Sequence, residues 1–240
     1  MTRRVLVTRP EPGASATATA LRAAGFEPVI ASLSEITTLP VAGDTHIGNV
    51  DAVAVTSANA LRHAPQRLLA SLAGLPLFAV GEATSAAATA AGFRDVVTGP
   101  GDAEGLAGLV RDRMPVGSTV LYLCGKVRRP DFEQALKSAG LSIPVLETYD
   151  TRKPASDAAF LRIVEASSPF LAVLLHSSEA ARALSGIMSQ RDVATVLTDA
   201  LIVVISTRAA APLRDVLAGR IRVAREPTDA AMISVLKAAS

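Results

Sequence analysis

The feature that most constrains this chain is a repeated alternation: short, unbroken apolar runs separated by Ala-rich stretches with helical character. The runs are Val5–Thr8, Pro28–Leu33, Ala52–Thr56, Leu77–Gly81, Asp95–Gly99, Thr119–Cys124, Val145–Tyr149, Leu171–His176, Leu201–Thr207 and Ile221–Arg225. Most are continuously apolar rather than alternating. That pattern belongs to strands covered on both faces, as in parallel sheets flanked by helices. The strand–helix alternation therefore predicts an α/β chain with doubly wound parallel sheets. At 240 residues the chain has room for one large domain or two smaller ones.

A helix-stop signal recurs in Ala24-Gly25-Phe26, Ala91-Gly92-Phe93, Ala139-Gly140-Leu141 and Ala218-Gly219-Arg220. In each, a glycine in the left-handed region is expected to close a helix just before the next strand. Such punctuation is common to α/β proteins, but a larger order repeats as well. Residues 5–40 read strand, helix, glycine stop, strand, then the polar segment Ser34-Glu35-Ile36-Thr37-Thr38. Residues 120–152 read the same way and end in Glu147-Thr148-Tyr149-Asp150-Thr151. Two related half-chains follow, with the polar segments as the natural crossings between domains.

The strand ends carry the chemistry. Thr8-Arg9-Pro10, Thr56-Ser57-Ala58-Asn59, Gly81-Glu82-Ala83-Thr84, His176-Ser177-Ser178 and Ser206-Thr207-Arg208 each run from a strand into a helix, and Thr228 opens the last helix. In open α/β sheets, ligands bind beyond the carboxyl ends of the strands, where helix N-termini offer unpaired N–H groups suited to anions. Taken singly, each hydroxyl reads as a helix N-cap. Taken together, they form a rim of donors. Tyr149, in the second crossing, is either a packing aromatic or a phenol held at the junction. An ordinary phenol, with a pKa of about 10, is protonated at neutral pH and so suits an acid role.

Several classes are excluded or disfavoured. With six Phe, two Tyr, no Trp and a net charge of +2, the chain lacks the stacking platforms and basic groove of a nucleic-acid binder. It has no apolar stretch approaching the ~18 residues of a membrane span, and its basic start is cut short by Pro10 before it resembles a signal peptide. A single cysteine, Cys124, rules out an internal disulfide and fits a reducing compartment, so a cytoplasmic location is expected. Cys124 ends an apolar strand and reads as a packed residue. His46, His63 and His176 lack metal-ligand spacing. His176 itself reads as a rim residue. Gly99-Pro100-Gly101-Asp102-Ala103-Glu104-Gly105 has the wrong spacing for a dinucleotide loop and reads as a turn capped by Asp102.

In order along the chain stand Val7-Thr8-Arg9-Pro10, Thr56-Ser57-Ala58-Asn59-Ala60, Val80-Gly81-Glu82-Ala83-Thr84, Gly101-Asp102-Ala103-Glu104-Gly105-Leu106-Ala107, Glu147-Thr148-Tyr149, Ser177-Ser178 and Glu226-Pro227-Thr228. Their order and spacing resemble the uroporphyrinogen-III synthase family over nearly the whole chain. The resemblance implies two α/β domains joined by a two-stranded linker, with the active site in the cleft between them. It places residues 1–35 and 151–240 in a discontinuous first domain and residues 36–150 in the second. It implies a hydro-lyase that closes hydroxymethylbilane, a linear tetrapyrrole, with loss of water and inversion of ring D through a spiro-pyrrolenine, in haem biosynthesis. Tyr149 is then the candidate proton donor, and Arg9, Ser57, Thr84, Arg129, Ser177, Thr207 and Thr228 are candidate substrate-binding residues. No metal or organic cofactor is expected. A monomer is expected, and a transient contact with the preceding pathway enzyme is left open. The chain departs from the family pattern where Cys124-Gly125 replaces a frequent Arg-Gly and Asp102 a frequent Asn; Arg128 and Arg129 lie near enough to stand in for the lost charge. Two other readings remain: a non-catalytic two-domain small-anion sensor, and a sugar-phosphate or nucleotide enzyme lacking a phosphate loop.

Overall fold

The computed structural model describes residues 3–41, 48–128, 130–188, 195–213 and 218–239. Its strands are β1 (Arg4–Val7), β2 (Glu27–Ile30), β3 (Glu35–Thr38), β4 (Ala52–Val55), β5 (Leu77–Ala79), β6 (Val96–Thr98), β7 (Val120–Gly125), β8 (Val145–Arg152), β9 (Ala172–Leu175), β10 (Leu201–Val204) and β11 (Ile221–Val223). The helices are α1 (Gly13–Ala23), α2 (Ala58–Arg62), α3 (Gln66–Leu72), α4 (Glu82–Ala90), α5 (Ala103–Arg113), α6 (Asp131–Ser138), α7 (Ala158–Ser167), α8 (Ser178–Met188), α9 (Thr207–Ala210) and α10 (Asp229–Ala238). The chain divides into two compact units, Met1–Glu35 with Arg152–Ser240, and Ile36–Thr151.

Each unit holds one sheet. The order is β11-β10-β9-β1-β2 in the first and β3-β8-β7-β4-β5-β6 in the second. Counted from β4, the second sheet runs third, second, first, fourth, fifth, with β3 added at the edge beside β8. Counted from β9, the first sheet has the same order, with β1 and β2 taking the fourth and fifth places. The first unit is thus a circular permutant of the second. The repeat between residues 5–40 and 120–152 has a structural basis: β1 and β2 stand where β7 and β8 stand. Both β1–β2 and β7–β8 are parallel pairs.

The apolar runs form strands because both faces are covered. Leu6, Val173, Leu175, Ile202 and Val204 face one core with α7 and α8, while Val5, Val7, Ala172, Leu174 and Val203 face another with α1 and α10. In the second unit, Ala52, Ala54, Val120, Tyr122 and Cys124 pack with α5 and α6, and Val53, Val55, Leu121 and Leu123 with α2, α3 and α4. The alternation of faces along each strand is the period-2 geometry of the pleat.

Three of the four expected glycine stops adopt the left-handed region: Gly25, Gly92 and Gly140, with φ of 82°, 100° and 79°. Gly219 does not; it lies in a short 3-10 turn, Ala218–Arg220, which leads directly into β11. Several strand ends also differ from expectation: β8 runs on past Tyr149 to Arg152, and β5 and β11 stop at Ala79 and Val223. β2 stops at Ile30 rather than Leu33, and β10 at Val204, so Thr207 opens α9 instead of ending a strand. The polar crossing contains β3, whose residues are exposed or half-buried at the sheet edge.

The Gly99–Gly105 segment is the capped turn its composition suggests. Asp102 accepts a hydrogen bond from the Gly105 N–H at 2.8 Å and opens α5. Asp102→Ala should cost about 1 kcal/mol of stability, read as a lower denaturant midpoint at unchanged slope. A loss below about 0.3 kcal/mol would show that the cap is not stabilising α5.

Candidate functional site

The hydroxyl rim is built as caps, and the capping geometry leaves it chemically useful. Ser57 accepts from the Asn59 N–H (3.3 Å), Ser177 from Ala180 (3.0 Å), Ser206 from Ala209 (3.3 Å) and Thr228 from Ala231 (3.2 Å). Each oxygen spends a lone pair on the helix and keeps its own hydrogen to donate. At the start of α9 the cap is Ser206; Thr207 follows it and is exposed. Thr84, in the first turn of α4, is only 5% exposed, so a ligand can reach no more than its edge. Arg129, like His46, lies outside the described residues.

In the second unit the sheet's switch point falls between β4 and β7, where strand order reverses and ligands of such folds bind. Thr56, after β4, shares a 2.7 Å hydrogen bond with the Tyr122 hydroxyl of β7. Burial pushes the Tyr122 phenol up to about 12, and the bond to Thr56 only partly opposes this. Cys124 is 1% exposed and its thiol is likewise raised to about 12, chiefly by burial. It is a packed thiol, as its place at the end of an apolar strand suggests, and not a thiolate nucleophile.

Tyr149 reaches this switch point through a bulge. Cys124 pairs with Glu147, but Gly125 pairs with Tyr149, so Thr148 is an extra residue in β8. The bulge re-aims every side chain after it. Thr148 is locked by donating to the Ala60 carbonyl at 2.8 Å. Tyr149 then lies across Gly125, where a Cβ would sit 2.6 Å from its Cζ and 2.9 Å from its hydroxyl oxygen. The phenol is hydrogen-bonded to Ser57, and the His63 ring is tilted beside it at 6.0 Å. Burial raises the Tyr149 pKa above the usual phenol value, the bond to Ser57 opposes this, and the result is a protonated phenol.

Arg128 does not serve as a free cation. It donates to Glu133 at 2.7 Å and to Glu147 at 2.6 Å. Burial weakens its charge, but those two bonds outweigh burial and hold it protonated.

In the first unit the switch point falls between β9 and β1. Thr8, fully buried, donates to the Leu174 carbonyl at 2.7 Å and joins the two strands. Arg9 follows. Its Nη1 lies 3.4 Å from the Thr17 hydroxyl and 3.5 Å from an Asp229 oxygen. Asp229 also meets His176 Nε2 at 2.8 Å and accepts from Thr17 at 2.8 Å. The structure thereby gathers Arg9, His176 beside Ser177 and Asp229 beside Thr228 into one cluster. The sequence reading missed Asp229 and the bond to His176, because the partners lie 53 residues apart. The only local hint was a histidine and an aspartate, each at a strand–helix junction.

Two largely parallel sheets of one strand order, each with helix caps and hydroxyls at its switch point, define a two-unit, doubly wound α/β protein. The family model for uroporphyrinogen-III synthase HemD matches residues 15–234. The chain belongs to the uroporphyrinogen-III synthase family, whose members are cyclising hydro-lyases. The fold is similar to the uroporphyrinogen-III synthetase of Helicobacter pylori 26695, at 18% identity and a TM-score of 0.67, covering 100% of both chains. It is also similar to a mutant uroporphyrinogen III synthase from the extremely thermophilic bacterium Thermus thermophilus, at 19% identity and a TM-score of 0.61, covering 98% of both chains. Comparison with curated proteins gave no match. No helix among the described residues is long and apolar enough to cross a membrane.

Proposed function

We propose that this chain closes hydroxymethylbilane to uroporphyrinogen III with Tyr149 as the proton donor. The observation that carries this reading is the bulge that lays a protonated, Ser57-bonded phenol over Gly125 at the β4–β7 switch point. The Asn59 N–H bonds to Ser57, which leaves the Ser57 hydrogen free to donate to the phenol oxygen. The phenol's own hydrogen then points onward, to the hydroxyl on ring A.

Protonation releases that hydroxyl as water and leaves a protonated azafulvene. Ring D attacks the new methylene carbon through its substituted α-carbon, forming the spiro-pyrrolenine. The bond between that α-carbon and the ring C methylene breaks, and re-closure through the free α-carbon of ring D delivers the inverted ring. Loss of the proton from that carbon restores the pyrrole and balances the proton donated at the start. Every step moves protons or makes and breaks carbon–carbon bonds without net redox change, so the chemistry calls for no organic cofactor.

On this reading Arg9, Ser57, Thr84, Arg129, Ser177, Thr207 and Thr228 bind the substrate's carboxylates, as hydroxyl donors and cations rather than as one charged pocket. The substrate also cyclises unaided to the non-inverted isomer, so the enzyme must steer as well as accelerate. A thousandfold bias takes ~4 kcal/mol of differential stabilisation, within reach of a few well-placed hydrogen bonds. The same reading carries a monomer acting in the cytoplasm, where it takes the product of the preceding pathway enzyme.

The test is direct: the purified protein is given hydroxymethylbilane and the product isomers are separated. Type III is expected in large excess. A product that is only type I, equal to the protein-free control, would remove the catalytic reading and favour a non-catalytic anion sensor.

A further inference from the structure

The reaction uses Arg9 as a carboxylate ligand, but nothing in that role accounts for the buried groups behind it. Asp229 accepts from three elements at once. Thr17 in α1 donates to one oxygen at 2.8 Å, His176 after β9 meets the other at 2.8 Å, and Arg9 after β1 lies 3.5 Å from that second oxygen. The His176 side chain is 6% exposed, and its Nδ1 is buried with no hydrogen-bond partner among the described residues. A protonated ring would leave an N–H at Nδ1 with no acceptor, which is costly. The ring is therefore neutral, with its one hydrogen on Nε2 and donated to Asp229. Burial, the largest influence, lowers the His176 pKa accordingly, with the Arg9 charge acting in the same sense and Asp229 against it. Burial also disfavours the Asp229 carboxylate, but the bonds from His176 and Thr17 and the Arg9 charge outweigh it and keep it ionised. With His176 neutral by this geometry, Arg9 is the permanent cation beside Asp229, its Nη1 3.5 Å from the carboxylate.

Gly13 completes the arrangement. A Cβ there would lie 2.6 Å from Arg9 Cζ, so the guanidinium rests directly on the α1 backbone. An arginine side chain loses much rotamer freedom when it is held, and fixing it before the substrate arrives removes that cost from binding.

We propose that Asp229, oriented by neutral His176, is a positioning residue that lays Arg9 across Gly13 with the outer edge of its guanidinium presented to a carboxylate of the substrate. The inference rests on Arg9 being a substrate ligand. It adds that Asp229 and His176, which need not touch substrate, act through Arg9, and that pre-organisation outweighs the repulsion Asp229 exerts on an anion.

The full-length protein is assayed with hydroxymethylbilane for KM and kcat separately, with thermal unfolding alongside. Arg9→Ala and Asp229→Asn should each raise KM about tenfold and leave kcat within twofold. In the Arg9→Ala background, Asp229→Asn should add nothing further, because its effect travels through Arg9. Gly13→Ala offers a variant that should still fold, since the new Cβ would meet only the movable end of the Arg9 side chain. It should nonetheless raise KM severalfold by pushing the guanidinium aside. A KM that falls or is unchanged in Asp229→Asn overturns the inference, as does an equal Asp229→Asn effect with and without Arg9. If Arg9→Ala leaves KM unchanged, Arg9 is not a substrate ligand and the inference falls with it. The product-isomer assay still decides the proposed reaction independently.

Discussion

In a Tyr149→Phe variant, kcat for the type III isomer should fall about a hundredfold, within the range expected when a general acid is removed. The ring remains to fill the space over Gly125, so the loss of stability should stay near 1 kcal/mol, about the worth of one hydrogen bond to Ser57. As the catalysed path slows, the spontaneous path continues, and the product mixture should shift toward type I. Burial raises the phenol's pKa, so wild-type kcat should show no loss of this acid as pH rises through about 9, still below the ordinary phenol value. Turnover within threefold of wild type, with native unfolding behaviour, would remove Tyr149 from the acid role.

A Gly125→Ala variant should lose activity to a similar extent for a different reason. Non-bonded carbons settle about 3.5–4.0 Å apart, whereas the new Cβ would stand 2.6 Å from Tyr149 Cζ and 2.8 Å from Cε2. The phenol has to retreat by roughly 1 Å, a displacement that can cost a hundredfold in rate when the group must be aligned with a reacting atom. Overpacking should also destabilise the second unit by about 1–3 kcal/mol. Unlike Tyr149→Phe, this variant keeps the hydroxyl, so equal losses in both would tie catalysis to the position of the phenol as well as to its proton. Unchanged kcat in Gly125→Ala would mean that the close approach of ring and backbone has no catalytic consequence.

Much of the fold is legible in the sequence because burial on both faces leaves an unmistakable trace. Ala52–Val55 and Ala172–Leu175 contain no polar residue, and both are fully buried central strands. The polar edge strand Glu35–Thr38 lacks that trace, because its neighbour β8 and not its own composition makes it a strand. The candidate site is legible only as a set of residue types. The hydroxyls at the strand ends are visible one by one. The bulge at Thr148 is not, since the bond that locks it goes to Ala60, 88 residues away in the chain. Gly13 and Gly125 look like ordinary glycines until an arginine and a tyrosine are found lying on them. Gly219 shows the converse: a stop motif on paper that the 3-10 turn before β11 makes unnecessary.

The permuted strand order of the first unit also bears on how the chain reaches its folded state. The sheet of the second unit, apart from β3, is drawn from one uninterrupted stretch, Ala52 to Arg152, and can assemble as soon as that stretch exists. The sheet of the first unit cannot. Val5 pairs with Ala172 and Leu6 with Val173, so β1 and β2 must wait for strands made long after them. Pairing over such separations carries a large loop-closure cost and is slow. The second unit, formed in the meantime, shortens that loop by folding up the chain between the two ends. During synthesis Arg9 is therefore made long before Asp229, and the ion pair between them has to wait until both are present.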